Sequence, residues 1–292
     1  MTPAVCSLIR VCAPISPRRL TPMNKGEGRF PGRWLAGALS IFCLVMAVAL
    51  PAGATHCRQT IFESVELTFC EAFEGDEVRL FLTDEEGEVL GSFARIEAAL
   101  AAGGEVLEFA MNAGMYHPDR SPVGLYIEDG EERRGIVTAE GPGNFGLLPN
   151  GVFCVLDGRF AIVESRAFAQ APLPCRHATQ SGPMLVIEGA LHPRFIEDSD
   201  SALLRNGVGV DAEGTRAVFV IADQPVTFHQ FARFFRDYLE LPQALYFDGN
   251  VSRLHAPGIG RSDWGRPMGP VVGMVGSLAP ERTGGDDAVD LD

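Results

Sequence analysis

Four apolar runs in this chain end abruptly in small residues that flank polar groups. They are Leu107 to Tyr116 (LEFAMNAGMY), Thr179 to Ile187 (TQSGPMLVI), Arg205 to Val210 (RNGVGV) and Ala244 to Asn250 (ALYFDGN). An apolar run with a sharp polar stop predicts a buried strand that delivers side chains to a sheet edge. Glycine at the stop permits positive φ and lets a ligand approach the backbone. Between them the four stops carry Asn112, Gln180, Arg205 and Asp248. That set predicts one polar site assembled from distant parts of the chain.

The remaining pattern is also mostly strand. Thr60 to Glu71 and Val78 to Thr83 alternate as strands do, and Asp84 to Gly87 turns the chain into Val89. Ser92 is placed to cap a short helix, Phe93 to Ala102, that stops at Gly103-Gly104. Leu107 to Met111 reads as a central strand. Hairpin turns are expected at Asp129-Gly130, Asp157-Gly158 and Glu188-Gly189, the first two being Asp-Gly pairs suited to type I′ turns. A fourth falls at Ala212-Glu213-Gly214. The clearest helix is Phe228 to Leu239, where Thr227 and Gln230 form a capping box and Phe231, Phe235, Tyr238 and Leu239 an apolar stripe. It leads into the strand Ala244 to Phe247. The expected fold class is therefore α+β (mixed α/β): a single domain of largely antiparallel or mixed sheets with a few flanking helices.

The first 54 residues read as a leader. Arg29 and Arg33 precede an uncharged stretch from Trp34 to Leu50, and Ala52-Gly53-Ala54 follows as a small-residue cleavage signal before Thr55. The apolar stretch of 17 residues lies just inside the spanning range, so an uncleaved anchor is the competing reading. Met23 is an alternative start. Residues 55–277 are expected to form the domain and 278–292 a disordered acidic tail.

Charge narrows the partners. Six of the 24 basic and one of the 38 acidic residues lie in the leader, leaving 18 against 37 and a formal charge of −19. A surface this acidic repels phosphate backbones, which argues against a nucleic-acid partner. An anionic ligand must be held locally, by arginines and backbone N–H groups. Four cysteines follow the leader: Cys57, Cys70, Cys154 and Cys175. An even count in an exported chain permits two disulfides with three possible pairings. Locality favours Cys57 with Cys70 and Cys154 with Cys175. The spacing lacks the Cys-x-x-Cys of a structural zinc site, and no metal or cofactor is expected.

Asp248 is the leading candidate for chemistry. It follows Ala244-Leu245-Tyr246-Phe247 and precedes Gly249, so its carboxylate should emerge partly desolvated at a strand end. Desolvation raises a carboxylate pKa and a nearby Arg lowers it. The bland alternative is an Asp that only accepts turn N–H bonds. Arg205 suits a bidentate hold on phosphate or carboxylate, or else a structural ion pair with a buried acid such as Asp248. Gln180, Ser181 and Gly182 could present an amide, a hydroxyl and backbone donors to one oxygen, although a hairpin entry explains them equally well. Asn112 and His117 end a buried strand with an amide and an imidazole. His117 and His192 lack the spacing of a metal motif. The Gly141-Pro142-Gly143-Asn144 loop is Gly-rich without the P-loop pattern, and Ser181 lacks the Gly-x-Ser-x-Gly elbow of a serine hydrolase.

Taken together, these segments resemble the phosphodiester glycosidase family. Asn112-Ala113-Gly114-Met115 is similar to the family's Asn-Gly-Gly-Phe strand end, and Ser181-Gly182-Pro183-Met184-Leu185 to its Gly-Gly-Pro-Leu-Leu segment. Arg205-Asn206-Gly207-Val208-Gly209 is similar to Arg-Thr-x-x-Gly, and Phe247-Asp248-Gly249-Asn250-Val251-Ser252 to Leu-Asp-Gly-Gly-Gly-Ser. The order is the family's, over about Thr60 to Ser277. Asn250 stands where the family has glycine, which implies a different substrate pocket.

The leader implies an exported, periplasmic or secreted protein, and the resemblance implies a hydrolase that splits the bond between an anomeric carbon and a phosphate oxygen in a sugar-1-phosphodiester. Ordinary glycosidases need two carboxylates because the alcohol leaving group must be protonated. A phosphodiester leaves as a stable anion, so one carboxylate and an arginine can suffice. In this reading Asp248 is base or nucleophile, Arg205 stabilises the departing phosphate with Gln180 and Ser181, and Asn112 and His117 position the substrate. Gly114, Gly182, Asn206 and Gly249 complete the binding set by their motif positions. The main alternative is a non-catalytic envelope protein that binds glycans or phosphorylated polymers. A weaker one is a metal-dependent phosphodiesterase using His117, Asp119 and His192.

Overall fold

The structure, a computed structural model, describes residues 56–278. The expected leader lies outside those residues, as does all but the first residue of the expected acidic tail. In chain order the elements are β1 (Cys57–Phe62), β2 (Val65–Phe73), β3 (Glu77–Phe81), α1 (Phe93–Ala102), β4 (Glu105–Asn112), β5 (Tyr126–Glu128), β6 (Glu131–Arg134), β7 (Gly151–Val155) and β8 (Phe160–Glu164). Then come α2 (Ser165–Gln170), β9 (His177–Ser181), β10 (Met184–Ile187), β11 (Ala190–Leu191), β12 (Asn206–Val210), β13 (Arg216–Ala222) and α3 (Phe228–Arg233). The last are β14 (Gln243–Asp248), β15 (Leu254–Ala256), β16 (Arg261–Ser262) and β17 (Val271–Ser277).

Three sheets result, with strand orders β1-β2-β13-β12-β14-β10-β11, β16-β15-β4-β17-β3 and β6-β5-β9-β7-β8. Every pairing between these strands is antiparallel. The fold class is thus the expected one, with strands dominant and the helices on sheet faces.

Local chemistry explains most boundaries. The Ser92 side chain accepts the Arg95 N–H at the start of α1, and Gly104 closes it at φ 74°. Asp129-Gly130 and Glu188-Gly189 both adopt positive φ at their two positions, as type I′ hairpins require. Asp157-Gly158 also turns a hairpin, between β7 and β8, but only Gly158 takes positive φ, so the expected type I′ turn does not form there. Two further expectations fail. Thr60 to Glu71 is not one strand but a hairpin that turns at Glu63 and Ser64, both at positive φ. The helix expected over Phe228 to Leu239 keeps its Thr227–Gln230 capping box but passes after Arg233 into a π-helical turn, Phe234–Tyr238. That turn puts Phe234 and Phe235 together on the sheet, both fully buried.

The sheets meet in a common core, where Phe109, Phe153, Phe219 and Phe247 lie 5.3–6.4 Å apart by ring centroids along the chain of contacts. On the other face of the seven-stranded sheet α3 and its π turn cover Phe69, Val218, Val220 and Tyr246. Helix α1 covers β4 and β17. Cys57 is bonded to Cys70 across the β1–β2 register, and Cys154 to Cys175 beside α2. These are the pairings that locality favours.

Candidate active site

Strand β14 lies inside the seven-stranded sheet between β12 and β10, and Asp248 is its last residue. Asn206 faces Asp248 across β12, and the register slips just beyond it, so that Gly207 faces Tyr246. A bulge of this kind bends the strand end and re-aims a side chain. Phe247 therefore points into the common core while Asp248 turns to a surface cleft.

The Asp248 carboxylate is nearly enclosed. Its Oδ1 accepts the N–H groups of Gly249 at 2.6 Å and Asn250 at 3.0 Å, and Oδ2 accepts that of Val251 at 3.2 Å. Burial raises its pKa above the ordinary 3.8, and the three N–H groups oppose the rise without cancelling it. Both sequence readings of this residue thus describe it: it caps a turn, and it is a desolvated carboxylate. Oδ2, with a single long bond, retains acceptor capacity.

The cleft has a volume of about 670 Å³ and is bounded by Tyr116, His117, Arg120, Asn144, Asp248, Asn250 and Arg266, among others. Residues 117–121 form a tight turn in which the His117 N–H donates to Ser121 O and the Arg120 N–H to His117 O. Arg120, at φ 74°, carries its guanidinium 5.5 Å above the Tyr116 ring. Burial and the charge of Asp248 both raise the Tyr116 phenol pKa, with Arg120, Arg253 and Arg266 opposing. Asn144 arrives on the loop that Asn150 fastens by donating to Phe145 O at 2.8 Å.

The four predicted stops do converge, but many of their side chains form the floor of the site and do not line it. Asn112 and Asn206 are fully buried. Asn206 Oδ1 accepts from Asp248 N at 3.1 Å and from Asn112 Nδ2 at 3.2 Å, and Asn112 Oδ1 accepts from Arg253 N at 3.0 Å. Ser181 donates to Phe247 O at 3.0 Å. Gln180 is consumed internally: Oε1 accepts from Leu125 N and Val137 N, and Nε2 donates to Val137 O and Ser165 Oγ. Gln180 and Ser181 therefore have no group left to offer a substrate in this arrangement. Gly114 and Gly182 are packing positions. A Cβ on Gly182 would collide with Asn150, and Gly114, at φ 135°, lies against Thr179. Gly249 borders a neighbouring pocket.

Arg205 departs furthest from expectation. It is fully buried, donates from Nε to Val226 O and from Nη2 to Ser201 O, each at 2.9 Å, and stacks on Phe228 at 3.6 Å. It neither pairs with Asp248 nor lines the cleft. The Tyr246 ring lies 5.4 Å from the Arg205 guanidinium; burial raises its phenol pKa, as does the charge of Asp248, while Arg205 opposes the rise. The arginines that do border the cleft are Arg120 and Arg266, which the sequence reading missed. Their settings offered a modest signal: Arg120 lies two residues from both Pro118 and Pro122, and Arg266 between Gly265 and Pro267. His192 is buried against Phe195 and does not line this cleft. Among the described residues no three His, Cys, Asp or Glu side chains cluster as metal ligands.

The class of protein this defines is an antiparallel frame that gathers strand ends beneath one buried carboxylate, beside a polar cleft with arginines at its rim. Residues 105–263 match the phosphodiester glycosidase family. The chain is 36% identical over 200 residues to the uncharacterized protein YigE of Escherichia coli (strain K12), covering 68% of this chain and 76% of that one. Its fold is shared with the catalytic domain of zebrafish N-acetylglucosamine-1-phosphodiester alpha-N-acetylglucosaminidase, solved auto-inhibited by its pro-peptide. That match has a TM-score of 0.51 and 17% identity over 76% of this chain and 84% of the other. The chain belongs to the phosphodiester glycosidase family.

Proposed function

We propose that this protein is an exported hydrolase that cleaves a sugar-1-phosphodiester in a glycan or envelope glycopolymer, with Asp248 as its catalytic carboxylate. The observation that carries the reading is Asp248 itself, buried, held by three backbone N–H groups and facing a cleft that also presents Arg120 and Arg266. The N–H groups fix its orientation, and its raised proton affinity suits a general base, worth about 10²–10⁴-fold. It activates water, or attacks the anomeric carbon directly, while Arg120 and Arg266 stabilise the phosphate that leaves. His117 and Asn144 position the sugar. Arg205 acts at one remove, by holding Tyr246 behind Asp248. Both disulfides and the basic–apolar–small leader support export.

Asp248→Asn tests this. The amide keeps Oδ1 as an acceptor, loses the bond to Val251, and removes a buried charge. The two stability effects oppose each other, so the fold should change by less than about 1 kcal/mol. Turnover of a sugar-1-phosphodiester, followed as release of reducing sugar, should fall at least 10²-fold. Wild-type turnover in the variant ends the assignment. A wild-type protein that binds such a polymer and releases no sugar would favour a pure binding role.

A further inference from the structure

We infer that Arg253 anchors a second anion-binding subsite beside the Asp248 cleft, which takes an oxyanion carried by the substrate away from the scissile bond. The inference rests on the proposed hydrolysis for its biological meaning but not for its test. The subsite is a cavity of about 600 Å³ whose walls include Leu203, Asn250, Ser252, Arg253, Gly265 and Arg266. Asn250, Val251 and Arg266 border both this cavity and the cleft, so one extended ligand can occupy the two.

Arg253 is 7% exposed, and its Nε and Nη2 are buried without any hydrogen-bond partner. A buried guanidinium in that condition carries a desolvation penalty that the nearby Tyr116 and Asp263 offset only in part. Arg205, fully buried, differs in degree: it spends Nε and Nη2 on two main-chain carbonyls and leaves only Nη1 unpaired. The carboxylate nearest in influence to Arg253 is Asp263. That group already accepts from Arg261 Nε at 3.1–3.2 Å, Arg261 Nη2 at 2.9 Å and Leu254 N at 3.0 Å. No Asp or Glu lines the cavity, although acids outnumber bases about two to one after the leader. Two arginines in a wall free of carboxylates, one of them lacking any internal partner, fit a phosphate or carboxylate oxyanion.

A second anion on the same substrate implies a charged glycopolymer, with either a phosphate or a uronic-acid carboxylate next along. Nitrogen-15-labelled full-length protein titrated with inorganic phosphate, and separately with glucuronate, distinguishes the two while monitoring the Arg253 Nε–H and the Ser252 and Gly265 amides. Saturable shifts are expected in wild type and in Asp248→Asn, with affinity at least tenfold weaker in Arg253→Gln and intermediate in Arg253→Lys. The tighter arm identifies the anion. Absence of a saturable shift at Arg253 in wild-type protein with both ligands overturns the inference, whether or not the variants fold, as does a folded Arg253→Gln that titrates like wild type. Should Asp248→Asn retain turnover while the Arg253 shifts persist, the catalytic assignment falls and the subsite stands. With polymer as substrate, Arg253→Gln should raise KM with little change in kcat, and leave KM for a small sugar-1-phosphodiester with a neutral aglycone unaltered.

Discussion

The side-chain oxygen of Asn206 accepts the backbone N–H of Asp248 at 3.1 Å, from the position directly opposite on the neighbouring strand. The same amide donates to Asn112 O at 2.8 Å, joining the end of β4 to the end of β14. Two sheets are tied at the point where the Asp248 carboxylate leaves the second of them.

Asn206→Ala removes those links and leaves buried donors and acceptors unpaired, at about 1–3 kcal/mol for each orphaned group. Urea denaturation should show a loss of about 2–4 kcal/mol, and kcat should drop with it because Asp248 is no longer aimed. A variant with wild-type stability and kcat would show that the bond does not position Asp248.

The arginines divide into two kinds. Arg266→Gln and Arg120→Gln should lower kcat/KM for a phosphodiester about 10–100-fold, with kcat falling whether or not KM rises, from the loss of charge-assisted bonds of about 1.5–3 kcal/mol, and leave the thermal midpoint nearly unmoved. Arg205→Met should do the reverse in kind, lowering the midpoint by removing two buried hydrogen bonds and a stacked contact with Phe228. Kinetics and calorimetry on the three variants separate the roles. Equal kcat/KM effects in all three would contradict the division.

Burial pushes the Glu128 carboxyl from 4.5 to about 7, with a backbone hydrogen bond from Leu82 and the charge of Arg133 opposing. A carboxyl whose folded pKa lies above its unfolded value stabilises the fold fully below about pH 4.5, and that contribution is lost as pH rises through about 7. Glu128→Gln should therefore match wild type near pH 4 and exceed its midpoint at pH 8. Discounted for partial solvent access, the gain is about 1 kcal/mol, or about 2–4 °C. Equal midpoints at pH 8 would refute the shift.

The two disulfides close loops with sequence separations of 13 and 21. In the chain-entropy account each contributes about 3 kcal/mol, slightly more for the longer loop. Replacing Cys57 and Cys70 together by Ser, or Cys154 and Cys175, should lower stability by about that amount in denaturant titrations under oxidising conditions. A pair whose removal changes nothing would be dispensable to the fold.

Much of the local structure was legible in the sequence. The Ser92 cap, the Thr227–Gln230 box, and the turns at Asp129-Gly130 and Glu188-Gly189 are decided by neighbours a few residues apart, and each forms where the sequence puts it. The hairpin at Glu63-Ser64 escaped notice because neither residue is a usual bearer of positive φ. The π turn after Arg233 was equally silent, since its aromatic stripe also suits an α-helix.

Strand ends rich in small and polar residues, four of them, marked from sequence alone where the strands would converge and that Asp248 would emerge at one of them, beside a cleft. Which other side chains face the ligand was decided by tertiary structure. Arg205 and Gln180 carry chemistry suited to a substrate, yet the packing of Phe228 over one and the loops at Leu125 and Val137 around the other turn both inward. Beyond nearby Gly and Pro, nothing in the chain marks Arg120, Arg253 and Arg266, which reach the cavities only once β4 has paired with β17 and β14 with β12. The physical reason is one of range. Turns and caps depend on φ and hydrogen bonds within a few residues, whereas the direction of a side chain at a strand end depends on a bulge and on partners about a hundred residues away.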